Sequence, residues 1–171
     1  MGHTMIDLEK VELRQADPGN FKDIAYLLAI KNDPENYQYY GKSGIWTKDQ
    51  IVEFIKKERF LFIAEYDGKR IGRIGLYDIK KDSARVGRTF VNEDCRGNQI
   101  GALMTLKMIQ IAYHQLNVKT VYCEVRASNN ASYKMHQRLG FYPIRTKKGT
   151  IYMQLDKLSR NAKDFCERYG I

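Results

Sequence analysis

A chain of 171 residues, 43% of them hydrophobic and with no uncharged run long enough to cross a bilayer, fits one globular domain spanning residues 1–171 and excludes membrane-spanning and disordered classes. Its formal charge of +9, from 29 basic against 20 acidic side chains, invites a nucleic-acid partner. No run of five like charges occurs, so solvated faces or an anionic small molecule account for the excess better. Cys95, Cys123 and Cys166 are odd in number and far apart, which fits a reducing cytoplasm. They form no disulfide framework, and three scattered histidines give no metal cluster.

Val11 and Leu13 alternate with charged neighbours, the period of a half-buried strand. Ile24, Leu27 and Leu28 have helical spacing that Asp33-Pro34 ends. Tyr37, Tyr39, Tyr40 and Trp46 then alternate with small and basic residues, as core caps or as ligand contacts. Thr47 with Gln50 three residues on is a capping box for a second helix, carrying Ile51, Phe54 and Ile55. Residues 60–66 and 70–79 read as strands joined by the hairpin signal Asp67-Gly68, and a third strand runs through 85–91.

Next comes a polar, glycine-bearing loop, Arg96-Gly97-Asn98-Gln99-Ile100-Gly101-Ala102, entering an amphipathic helix with Leu103, Met104, Met108, Ile111 and Ala112 on its apolar side. Strand, glycine loop and helix N-terminus together gather unpaired N–H groups and the positive end of a helix dipole, which makes an anion site. Val121, Cys123 and Val125 mark a strand, so strand, helix and strand predict a right-handed parallel crossover. A helix over 130–139 stops at Gly140. Strands over 141–146 and 150–155 turn at Lys147-Lys148-Gly149, and a terminal helix over 158–169 is anchored by Phe165. The order predicts an α+β sandwich: one mixed, mostly antiparallel central sheet with flanking helices.

Two stretches resemble the GCN5-related N-acetyltransferase (GNAT) family. The loop at 96–101 is similar to that family's pyrophosphate motif Arg/Gln-x-x-Gly-x-Gly/Ala, with Gln99 standing where the first glycine belongs. The run Glu124-Val125-Arg126-Ala127-Ser128-Asn129, followed by Ala131-Ser132, His136 and Leu139-Gly140-Phe141, resembles its second signature. The resemblance implies a GNAT acyl-CoA N-acyltransferase fold and transfer of acetyl from acetyl-CoA to an amine by direct attack, without a metal. It places the cosubstrate on Phe90, Val91, Arg96, Gly97, Asn98, Gln99, Ile100, Gly101, Ala102, Asn129 and Ser132.

It makes Glu124 the candidate base and His136, at a position where many members carry tyrosine, the candidate general acid. The bland alternatives are an exposed Glu124 paired with a neighbouring cation and a His136 bonded to a carbonyl. Tyr39, Trp46 and Arg88 are acceptor candidates, and Arg85 and Arg88, three apart on one strand, are expected on opposite faces. Arg96 beside Cys95 favours a lowered thiol pKa, although no histidine is placed to activate that thiol. The acceptor implied is a protein N-terminus or a small amine or amino sugar, and a homodimer is compatible with the resemblance. A catalytically silent acyl-CoA-binding domain is the alternative of another class.

Overall fold

The strands follow the period-two segments closely in the computed structural model, which describes residues 4–36 and 44–171. In chain order the elements are β1 (Glu12–Gln15), α1 (Phe21–Asn32), α2 (Lys48–Lys57), β2 (Phe60–Tyr66), β3 (Lys69–Tyr77), β4 (Ser83–Val91), α3 (Ile100–His114), β5 (Thr120–Arg126), α4 (Asn130–Leu139), β6 (Tyr142–Lys147), β7 (Thr150–Leu155) and α5 (Arg160–Tyr169). The strands form one seven-stranded sheet in the order β1-β2-β3-β4-β5-β7-β6, antiparallel everywhere except at β4–β5. The α+β architecture expected from the sequence is the one observed.

Short-range chemistry sets the element ends. Asn20 caps α1 by accepting from the Lys22 and Asp23 amides, and Thr47 and Gln50 form the reciprocal capping box of α2. Asp67 and Gly68 both take positive φ, 50° and 71°, as a tight hairpin between right-twisted strands requires.

Two cores lie on opposite faces of the sheet. On one, Leu61 and Ile63 of β2 meet Leu27 of α1 and Ile51 and Ile55 of α2. On the other, Ile74, Leu76, Val86, Val121, Cys123 and Met153 meet α3. The sequence suggests an amphipathic α3, but Leu106 and Ile109 are fully buried too, along with Thr105, whose hydroxyl donates to the Gly101 carbonyl at 2.7 Å. A helix apolar nearly all round is a buried one. Each fully buried leucine, isoleucine or methionine there contributes about 1.5–3 kcal/mol.

Two irregularities of β4 shape everything that follows. Gly75 pairs with Gly87 but Arg73 pairs with Phe90, so β4 carries one extra residue, and Arg88 in that bulge has φ +56°. The bulge overturns the expectation that Arg85 and Arg88 point to opposite faces. Arg85 is the register partner of Tyr77, and the Arg88 guanidinium lies 4.1 Å from the Tyr77 ring centroid. Secondly, the parallel ladder stops after Ser83–Thr120, Ala84–Val121 and Arg85–Tyr122. Both strands continue, β4 paired with β3 as far as Val91 and β5 paired with β7 as far as Arg126, so they diverge.

At the C-terminal end of α4, Gly140 has φ +116°, and a Cβ there would stand 2.8 Å from the Lys157 carbonyl oxygen and 2.9 Å from the Ser159 nitrogen. Gly140→Ala is expected to lower stability by about 1–3 kcal/mol, read as a fall in the urea midpoint at unchanged slope.

Candidate active site

A cleft of about 1070 Å³ opens where β4 and β5 part. Its walls are Val86, Gly87 and Arg88 to Val91 of β4, Cys123 to Arg126 of β5 and the start of α3. At the α3 end the first intrahelical bond runs from the Leu103 amide to the Gln99 carbonyl, 3.0 Å. The amides of Ile100, Gly101 and Ala102 precede it, so helix geometry leaves them for another acceptor. A Cβ built on Gly97 or Gly101 meets nothing within 4 Å, so the space above the loop is open. These donors fit a diphosphate.

Gln99 has φ +64° and ψ 20°, the left-handed conformation that the glycine of the motif adopts at no steric cost. Its side chain makes no capping bond. Gln99→Gly is therefore expected to hold the loop and to raise stability by up to about 1 kcal/mol, the left-handed penalty less the entropy of glycine, read from thermal unfolding.

Asn98 departs from its expected place. Its amide nitrogen donates to the Thr4 and Cys95 carbonyls (2.8 and 2.9 Å) and its oxygen accepts from the Ile6 amide (3.0 Å). Asn98 thus straps the N-terminal segment to the loop, and it is not among the cleft residues. Arg96 lines the cleft but its Nε donates to the Val91 carbonyl at 3.1 Å, so that carbonyl is already engaged. Phe90, Val91, Gly97, Gln99, Ile100, Gly101, Ala102, Asn129 and Ser132 all line the cleft. Asn129 also caps α4, its side chain accepting from the Ser132 amide at 3.1 Å.

Glu124 and His136 both reach the cleft, each in the state its bland alternative described. Glu124, on the same face as Arg85, is ion-paired with the Arg85 guanidinium, whose Nε lies 3.7 Å from Asp78. His136 is only 7% exposed, stands edge-on to Phe141 and has Nδ1 2.8 Å from the Ser132 carbonyl. A carbonyl only accepts, so Nδ1 carries the hydrogen and Nε2 the lone pair. Burial, partly opposed by that hydrogen bond, lowers the imidazole pKa from 6.5. That direction favours the uncharged ring, whose free nitrogen accepts.

The acceptor candidates separate. Arg88 lines the cleft, held over Tyr77, 5.1 Å from the Phe54 ring centroid and 3.0 Å from Glu58. Trp46 instead caps the α1–α2 core, edge-on to Phe54 at 5.7 Å and under Lys31 at 4.9 Å, and is not a cleft residue. Tyr39 lies outside the described residues. Cys95 is buried, and burial and Asp94 push its thiol pKa up, contrary to the lowering expected from Arg96 and in keeping with no covalent role.

Sequence reasoning missed one wall. Ala131, Met135 and Arg138 of α4 and Asn161, Ala162 and Phe165 of α5 line the cleft. The sequence marked a terminal helix anchored by Phe165 but carried no signal of what it would face. Among the described residues no group of three or more metal-ligating side chains occurs, and no helix is long and apolar enough to cross a membrane.

A mixed sheet thus parts at its single parallel pair, and the N-terminus of α3 lines the gap. Residues 23–141 match the model of the Acetyltransferase (GNAT) family, and the chain belongs to that family. It is 29% identical over 124 residues to an N-alpha-acetyltransferase of Sulfurisphaera tokodaii, covering 66% of this chain and 69% of that protein. It spans 59% and 54% of two further curated relatives. The fold is shared with spermidine N-acetyltransferase from Vibrio cholerae, solved with CoA and spermine: TM-score 0.73, 16% identity, 85% of this chain and 95% of that one. It is also shared with Campylobacter jejuni PseH in complex with acetyl coenzyme A: TM-score 0.65, 19% identity, 85% and 98% covered.

Proposed function

We propose that this acetyltransferase moves the acetyl group of acetyl-CoA to a primary amine by direct attack within a ternary complex. The observation that carries the proposal is the β4–β5 ladder, which ends at Arg85–Tyr122 while both strands run on. Main-chain groups of Val86 to Val91 face the cleft thus opened, as an edge onto which an extended pantetheine amide chain adds. The α3 amides then hold the diphosphate, with Arg96 adding charge. The thioester would stand near Glu124 and His136, where an amine entering past Arg88 and Tyr77 meets it. Glu124 receives the ammonium and takes its proton, directly or through water.

Acetyl-CoA as the donor is supported by the PseH complex, and an amine as the acceptor by the names of the relatives. The Sulfurisphaera relative favours a protein N-terminus, and the Vibrio neighbour keeps a small amine open. One observation favours a second reading, a silent acyl-CoA-binding domain: Glu124 is already matched by Arg85.

CoA release measured with acetyl-CoA against peptide N-termini, polyamines, aminoglycosides and nucleotide amino sugars decides between them. Turnover on one of these classes is expected. Calorimetric CoA binding without acetylation of any of them would establish the silent domain instead.

A further inference from the structure

A second cavity, of about 340 Å³, opens over β4, β5, β7 and β6. It shares Cys123 with the cleft, and Arg85 of its wall is ion-paired with Glu124 of the cleft, so the two spaces are neighbours. Three cations face it, Lys80, Arg85 and Arg145, against one carboxylate, Asp78. Glu124 and Asp78 answer Arg85. Lys80 and Arg145 are exposed and make no ion pair among the described residues; the Arg145 guanidinium lies over the Tyr152 ring, 4.2 Å from its centroid.

Strand register sets where these cations stand relative to the candidate base. Tyr152 of β7 is the partner of Glu124 on β5 and of Arg145 on β6, so the three form a row across one face of the sheet. Neighbouring strands are about 4.8 Å apart, which puts the backbone of Arg145 roughly 10 Å from that of Glu124. The ring that carries the guanidinium belongs to the strand between them. Tyr122, the partner of Arg85 across the parallel pair, adds a second aromatic side chain to the wall.

Building on the acetyl-transfer reading, we propose that this cavity is the second anchor of the acceptor, and that the acceptor is an amino sugar joined to a phosphate or diphosphate. Its amine reaches Glu124 while Lys80 and Arg145 hold the phosphate. A sugar ring set between an amine and a phosphate bridges the interval between the two ends of the row, and its apolar face lies against tyrosine. A guanidinium fork and an ammonium together suit the several oxygens and the double charge of a phosphate. A polyamine meets the opposite field, because its remaining ammonium groups would face Lys80, Arg85 and Arg145. A neutral peptide N-terminus would leave Lys80 and Arg145 unanswered.

Binding is tested first, on protein saturated with CoA so that the α3 amides are already occupied. Glucosamine 1-phosphate, UDP-glucosamine, glucosamine and spermidine are titrated in by calorimetry. Both phosphate-bearing sugars are expected to bind at least about tenfold more tightly than glucosamine or spermidine. Lys80→Gln and Arg145→Gln replace exposed side chains, and each is expected to weaken the sugar phosphates by about tenfold or more while CoA affinity and the thermal midpoint stay at parental values. UDP-glucosamine binding more tightly than glucosamine 1-phosphate would identify the diphosphate as the anchored group, and equal binding a single phosphate. No heat from either sugar phosphate, equal affinity for glucosamine, or variants that bind as the parent does would overturn the proposal.

Turnover then separates it from the reading beneath it. With the sugar phosphates, Arg145→Gln is expected to raise the acceptor KM about tenfold and to leave kcat within about twofold, the mark of an anchor remote from the reacting atoms. Acetylation of spermidine or a peptide N-terminus at least as efficient as that of the sugar phosphates, and undiminished in both variants, would overturn the phosphate-bearing acceptor while leaving acetyl transfer standing. Binding of sugar phosphates without acetylation of any amine would instead defeat the acetyl-transfer reading, and the acceptor role of the cavity with it.

Discussion

Asp23→Ala is expected to cost about 3–5 kcal/mol of folding stability, the largest single loss in the molecule outside the hydrophobic cores. Asp23 opens α1 and is fully buried, yet both carboxylate oxygens are used. Arg14 of β1 grips them at 2.7 and 2.8 Å, Arg70 of β3 donates to one at 2.6 Å, and the Asp17 amide donates to the other at 2.9 Å. One carboxylate thus ties the first helix to two strands. Its removal would leave two guanidinium groups with Glu65, which lies 3.8 Å from Arg70. The loss is measured from urea unfolding, and a double-mutant cycle with Arg14→Met should show the two changes to be far from additive.

The same carboxylate sets an acid limit on stability. Burial by itself would push its pKa up, but the hydrogen bonds from Arg14, the Asp17 amide and Arg70 outweigh that and bring it from 3.8 down to about 2. Because the folded value is the lower one, the stabilisation is complete above the unfolded carboxyl's range and is lost as pH falls from about 4 through about 2. The difference amounts to roughly 2 kcal/mol. Asp23→Asn should flatten this part of the profile, and an unchanged acid slope in that variant would refute the assignment.

Glu124→Gln is the second large effect, an expected fall in kcat of about 10²–10⁴-fold at unchanged CoA affinity. The geometry that makes the prediction informative is the Arg85 pair. Arg85 lies between Glu124 and Asp78, so an incoming ammonium competes with a guanidinium that has a second carboxylate 3.7 Å away. The neutral amide keeps the shape of Glu124 and removes its capacity to take a proton. Activity within threefold of the parent would show Glu124 to be a partner of Arg85 alone. Acetylation rates over an amine series then report whether the ammonium must be deprotonated in place.

Much of the architecture was legible because its causes are short-range. Thr47 and Gln50 announce α2, Asp67-Gly68 the β2–β3 hairpin, and Gly140 the end of α4, since caps and positive-φ turns depend on a few adjacent residues. The glycine loop before α3 was legible for the same reason, with Gln99 marking one left-handed position even without its glycine. The residues lining the cleft were less so, because Met135, Arg138 and Asn161 belong to the site only through the docking of α4 and α5 on the diverging strands.

The sequence by itself determined the order of strands and helices, the glycine loop that leads into α3, and two polar residues, Glu124 and His136, that both line the cleft. Tertiary structure alone decided how each is held. One extra residue in β4 turned Arg88 onto the face of Arg85, and cross-strand pairing joined Arg85 to Glu124. Burial against Phe141 and the Ser132 carbonyl fixed which nitrogen of His136 holds its hydrogen. Periodicity is local, whereas bulges, ion pairs and protonation states are set by neighbours that the chain brings from far along its length.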